Sequence, residues 1–118
     1  MDIVEYRGED YSTVITYESW RVGLIRWAER FERIVYFERH NQTDEVFVLL
    51  CGEATLYIAD EELNVTEYKM ERGILYNVRR AEWHAITLLR DALVMVVENA
   101  DTTTENSDYV YPDGSPVK

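Results

Sequence analysis

The chain has 118 residues, and 23 Asp and Glu outweigh 12 Lys and Arg to give a formal net charge of −11. That length suits one domain, and the acidic balance excludes the basic footprint that nucleic acids or anionic membrane surfaces require. With Cys51 as the only cysteine no intrachain disulfide can form, no run reaches the ~18 apolar residues of a membrane span, and Met1-Asp2-Ile3-Val4-Glu5 lacks the basic start of a secretory leader.

The expectation is therefore a soluble, cytoplasmic protein, a single domain over residues 1–118, with no nucleic-acid or membrane partner. Apolar runs rich in Val, Ile, Leu, Tyr and Phe recur along it with turn signals between them, the pattern of short strands. In chain order they cover residues 12–18, 22–27, 33–39, 45–50, 53–59, 63–69, 74–78, 84–89 and 93–98. Residues 28–33 have room for a helical turn, but no segment keeps a 3.6-residue period long enough for a longer helix. Both prolines, Pro112 and Pro116, fall outside every predicted strand, as ladder hydrogen bonding demands. The tail, 99–118, starts polar and then offers Tyr109-Val110-Tyr111 as an edge strand, with its last residues expected to be disordered. Cys51 ends the apolar run 46–51 and reads as a small buried hydrophobe rather than a nucleophile.

Alternation within strands assigns faces. Ile34, Tyr36, Glu38 and His40 share one face, and Glu45, Phe47 and Leu49 share another. The run 93–98 is apolar on both faces, so it calls for a second sheet or a second subunit behind it. Short strands at this spacing imply an all-β sandwich or barrel.

His40 and His84 are the only histidines. His40 ends a predicted strand, Glu45 opens the next, and His84 opens another, so a hairpin can bring these groups to one mouth. Two imidazoles and a carboxylate, with Glu38 on the face of His40, are the donors of a transition-metal site. The spacing alone leaves satisfied core or surface histidines open as well. Tyr36 and Phe47 should face the same interior as Glu38 and Glu45, as pocket lining or as plain core. Trp83 should point away from it, into core or interface packing. Arg21, Arg26 and Arg79 could contact an anion, although each reads first as a solvated surface charge.

The stretch from Glu32 to Gly52 resembles the first cupin motif, Gly-x5-His-x-His-x3–4-Glu-x6-Gly, with His40, Glu45 and Gly52 in place. The stretch from Gly73 to Leu88 resembles the second, Gly-x5-Pro-x-Gly-x2-His-x3-Asn, with Gly73 and His84 in place. The resemblance covers a core of about residues 32–98 and implies the RmlC-like jelly roll, a double-stranded β-helix barrel. It further implies a divalent ion (Fe, Mn, Ni or Zn) on Glu38, His40, Glu45 and His84. A small polar compound would bind against Tyr36 and Phe47, possible reactions being of the dioxygenase, isomerase or lyase type, and the chain would form a homodimer. The departures bear on function. Glu38 stands where the first motif histidine would be, Glu32 replaces the leading glycine, and Arg79, Ala81 and Leu88 replace the Pro, Gly and Asn of the second motif. The lost turn glycines imply a modest change of backbone. The lost histidine leaves an alternative, a metal-free and non-catalytic cupin that binds or senses a small ligand in the same barrel.

Overall fold

A computed structural model describes residues 1–117. Among these residues ten strands run antiparallel: β1 (Asp10–Tyr17), β2 (Trp20–Arg26), β3 (Phe37–His40), β4 (Glu45–Cys51), β5 (Ala54–Ala59), β6 (Val65–Lys69), β7 (Leu75–Val78), β8 (Trp83–Leu88), β9 (Leu93–Asn99) and β10 (Ser107–Val110). They form two five-stranded sheets, ordered β1-β2-β9-β4-β7 and β10-β3-β8-β5-β6. Strands distant in the chain lie side by side in each, β9 between β2 and β4 in the first sheet and β3 between β10 and β8 in the second, the crossing pattern of a jelly roll rather than a meander. Among the described residues no helix is long and apolar enough to cross a membrane.

The period-2 alternation places the core. Phe47 and Leu49 from β4, Val94 and Val96 from β9, and Leu56 and Leu88 from β5 and β8 point between the sheets and are almost fully buried, so one apolar layer joins the two sheets. On β9 the second sheet covers Val94 and Val96, while Leu93, Met95 and Val97 lie half-buried on the opposite face. A smaller cluster of Phe37, Ala59, Trp83 and Ala85 packs with Tyr57, Leu63 and Val110. Trp83 thus points away from the histidines into packing, and the Arg39 guanidinium stacks over its ring at 4.3 Å.

Three expectations need correction. The strand predicted over 33–39 begins only at Phe37: residues 29–31 form a 3-10 turn that buries Phe31, and 34–36 run along a cavity without a strand partner. The tail does return as an edge strand, but over Ser107–Val110, paired with β3 so that Ser107 faces His40. Beyond it, Pro116 bridges Val110, and Lys118 lies outside the described residues. Cys51 is exposed, not buried: a register shift between Leu49 and Cys51 at the end of β4 takes it off the inward face.

Candidate metal centre

Both sheets contribute to the site. In the second, Glu38 and His84 are direct cross-strand partners on β3 and β8, and His40 follows Glu38 on the same face. The other sheet supplies Glu45, the first residue of β4, pointing inward with Phe47 and Leu49. One ligand atom from each of Glu38, His40, Glu45 and His84 lies within 4.8 Å of all the others. The Nε2 of His84 is 2.9 Å from Glu45 Oε1 and 3.6 Å from Glu38 Oε1, and that of His40 is 3.4 and 3.7 Å from the same two atoms.

Hydrogen bonds behind the rings fix this convergence. The Nδ1 of His84 is 3.0 Å from the carbonyl oxygen of Glu82; a carbonyl can only accept, so Nδ1 carries the proton and Nε2 is the nitrogen presented to the interior. The Nδ1 of His40 is 2.7 Å from Ser107 Oγ. Backbone reinforces the loops: Ala81 N–H donates to the His40 carbonyl at 2.8 Å, and Arg80 N–H donates to Asp44 Oδ1 at 2.8 Å.

Ala81, at a motif glycine position, holds φ +64°. The backbone has therefore not changed to suit alanine, contrary to expectation; alanine has been forced into the left-handed region that glycine favours. The strain is local and tied to the site through His40. Ala81→Gly is expected to raise unfolding free energy by roughly 0.5–1 kcal/mol, relief of ~1–2 kcal/mol of left-handed strain less the entropic cost of glycine. Urea denaturation checks it.

The charges are unusual for an interior. Burial would raise the carboxyl pKa of Glu45, but the imidazoles of His40 and His84 hold it well below the usual carboxylate range. Burial would depress His84, yet Glu38 and Glu45 outweigh it and raise the imidazole well above its ordinary value. Despite the 2.9 Å approach, Glu45 Oε1 and His84 Nε2 are not aligned as donor and acceptor: both are buried polar atoms without a hydrogen-bond partner.

The site has a fifth charged member outside both motifs. Glu98 on β9 faces inward at 7% exposure. Its Oε2 lies 4.0 Å from His40 Nε2, and Arg21 holds its Oε1 at 2.7 Å. Burial, then the neighbouring Glu45, push Glu98 up to about 9 against the pull of Arg21. Its sequence signal was an acid on the inward period of Val94 and Val96. Of the three arginines considered for anion contact, Arg21 is the one tied into the site; Arg26 donates to the Tyr6 carbonyl and Arg79 is exposed.

A cavity of about 420 Å³ adjoins the cluster, with Tyr36, Phe47 and Tyr109 in its wall, a size that suits a small organic molecule. Tyr36 meets Tyr109 edge-on at 5.4 Å, while Phe47, 3% exposed, meets the edge of His84 at 5.8 Å and belongs to the core as well.

No family model and no curated protein matches the sequence. Solved structures do. The chain is similar to a cupin-2 domain containing protein from Shewanella frigidimarina, with 19% identity, 80% of this chain and 84% of that one covered, and a TM-score of 0.60. It is also similar to the DMSP lyase DddQ from Ruegeria pomeroyi, at 19% identity over 84% of this chain but 47% of that one, with a TM-score of 0.59. A third is Fe(II)-HppE bound to an alternative substrate, at 21% identity over 66% of this chain and 40% of that one, with a TM-score of 0.50. At such identities the likeness shows the fold, and that fold is the cupin jelly roll.

Proposed function

We propose that the chain binds a divalent first-row metal ion through Glu38, His40, Glu45 and His84, and a small polar molecule beside it in the cavity lined by Tyr36 and Phe47. The observation that carries this reading is the pair of buried, unpartnered donor atoms, Glu45 Oε1 and His84 Nε2, inside a four-donor cluster whose imidazoles are anchored from behind. Unpartnered buried polar atoms are costly, and a cation among them removes that cost. Two donors each about 2.0–2.2 Å from one ion can stand at most about 4.4 Å apart. The four imidazole–carboxylate separations of 2.9–3.7 Å meet that limit, and all four donor atoms lie within 4.8 Å of one another. Two imidazoles and two carboxylates suit Fe, Mn, Ni or Zn.

Such an ion, when bound, supplies Lewis acidity toward a substrate oxygen. The chain's own residues do the rest. Ser107 and the Glu82 carbonyl orient the imidazoles, Phe47 closes the floor against water, and Tyr36 and Tyr109 offer hydroxyls to a polar ligand. Dioxygenase, isomerase and lyase chemistry all fall within this arrangement.

Metal analysis of untagged protein, as purified and after reconstitution with Fe, Mn, Ni or Zn, tests the reading. About one ion per chain is expected. Metal content near zero in every preparation overturns it and leaves the metal-free reading, which requires that a ligand raise the melting temperature equally with and without chelator. Ser107→Ala is expected to weaken metal affinity about 10-fold, the lower range for losing a group that orients a ligand, and calorimetric titration measures it.

A homodimer through the outer face of the first sheet completes the proposal. Val22 pairs with Val97, and Leu24 with Met95; Val46 extends the first of these rows. Copies that each carry −11 approach best across a surface without acids, and this patch has none. Sedimentation equilibrium at micromolar concentration should report twice the chain mass; a monomer refutes it.

A further inference from the structure

We propose that Glu98 is a fifth donor to the ion held by Glu38, His40, Glu45 and His84, and that Arg21 is the positioning residue that aims it. The inference rests on the metal-binding reading above and extends it to two residues that neither motif contains.

The argument begins with register. β4 and β9 pair Val46 with Val97, so the next inward residues along the two strands, Glu45 and Glu98, are neighbours. Two carboxylates are thereby placed side by side in the interior, Glu45 at 6% and Glu98 at 7% exposure. Both cannot stay ionised there without a cation.

Arg21 answers only part of that need. An arginine that serves solely as a counter-ion commonly takes both carboxylate oxygens in a fork. Here Nε and a terminal nitrogen of Arg21 both reach Oε1 of Glu98, at 3.2 and 2.7 Å, and the other terminal nitrogen reaches the Ala100 carbonyl at 3.4 Å. Oε2 is left buried and without a partner. It lies 4.0 Å from His40 Nε2, inside the roughly 4.4 Å limit for two ligands of one ion. A carboxylate gripped by one oxygen and free at the other, with the free oxygen toward His40, is the arrangement that orients a metal ligand.

Charge agrees. Glu38, Glu45 and Glu98 together are balanced by Arg21 and one divalent ion, with both imidazoles neutral. Three carboxylates and two imidazoles form a harder donor set than the four residues alone, so Mn(II) and Fe(II) should gain most from Glu98.

Isothermal titration of Mn(II) into chelator-stripped, untagged protein tests this, with EPR of the bound Mn(II) as a second readout. Glu98→Gln keeps the shape and removes the charge; affinity is expected to fall about 10–100-fold with a changed EPR spectrum. Arg21→Ala should shift the same spectrum and weaken binding less than Glu98→Gln does. Should Glu98→Gln fail to fold, Arg21→Ala alone decides, since a merely structural arginine would leave the Mn(II) spectrum as in wild type. Wild-type affinity and spectrum in the variants, with wild type itself binding, overturns the role of Glu98 and leaves the four-residue site standing. A wild-type chain that takes up no metal overturns both.

Discussion

His84→Ala is expected to abolish stoichiometric metal binding. His84 is 2% exposed; its Nδ1 is committed to the Glu82 carbonyl, and its Nε2 is the interior nitrogen without a partner. Alanine removes one of only two nitrogen donors and leaves a void that no neighbour can fill with another. The loss should exceed the roughly 100-fold upper range for removing an orienting group, which takes a micromolar site out of reach in ordinary titrations. A second readout follows from mass action. Metal at 100 times its dissociation constant adds about 2.7 kcal/mol to the unfolding free energy, or about 10 °C in melting temperature for a domain of this size. Wild type should gain that increment on addition of metal, and His84→Ala should not. His40→Ala should behave in the same direction. Binding should weaken as pH is lowered, because protons compete with the ion for both Nε2 atoms. Unchanged metal content in His84→Ala would place any bound ion elsewhere.

How much of this was legible in the sequence depended on the range of the signal. Strand positions follow from local alternation and turn residues, and β4, β5, β8 and β9 lie close to where alternation places them. The convergence of Glu38, His40, Glu45 and His84 was expected from motif spacing, but not by the route expected: β3 and β4 form no hairpin, and the short connection between them crosses from one sheet to the other. Glu98 and Ser107 were missed for one reason. Glu98 meets Glu45 only because β9 pairs with β4, and Ser107 meets His40 across 67 residues; neither pairing leaves a local trace. The buried period of Val94 and Val96 did mark Glu98 as an acid on an inward face. Cys51 and the shortened β3 were misread because alternation is silent about where a ladder shifts register or lacks a partner.

Gly52→Ala is expected to destabilise the fold by about 3 kcal/mol or more, in the range of the larger single-site effects. Gly52 closes the first motif, directly after the bulged end of β4, and holds φ +75°. A side chain in that region costs ~1–2 kcal/mol by itself. The second contribution is specific to this site. A Cβ on Gly52 would sit 2.5 Å from the carbonyl carbon of Asp91 and 2.6 Å from Cα of Ala92. These are backbone atoms of the turn into β9, so rotating a side chain cannot relieve the overlap, and the β4 and β9 ends must part. Ala92 is itself fully buried at 0% exposure, and moving it disturbs Val94 and the inward face that leads to Glu98. Gly73 provides the internal control. It stands at the start of the second motif at φ +84°, yet nothing lies within 4 Å of a Cβ built there. Gly73→Ala should therefore cost only the backbone penalty of ~1–2 kcal/mol. Urea titrations of the two variants separate backbone conformation from contact. A Gly52→Ala cost no larger than that of Gly73→Ala would mean that the β4 and β9 ends yield freely, and that Gly52 is required for its dihedral angle alone.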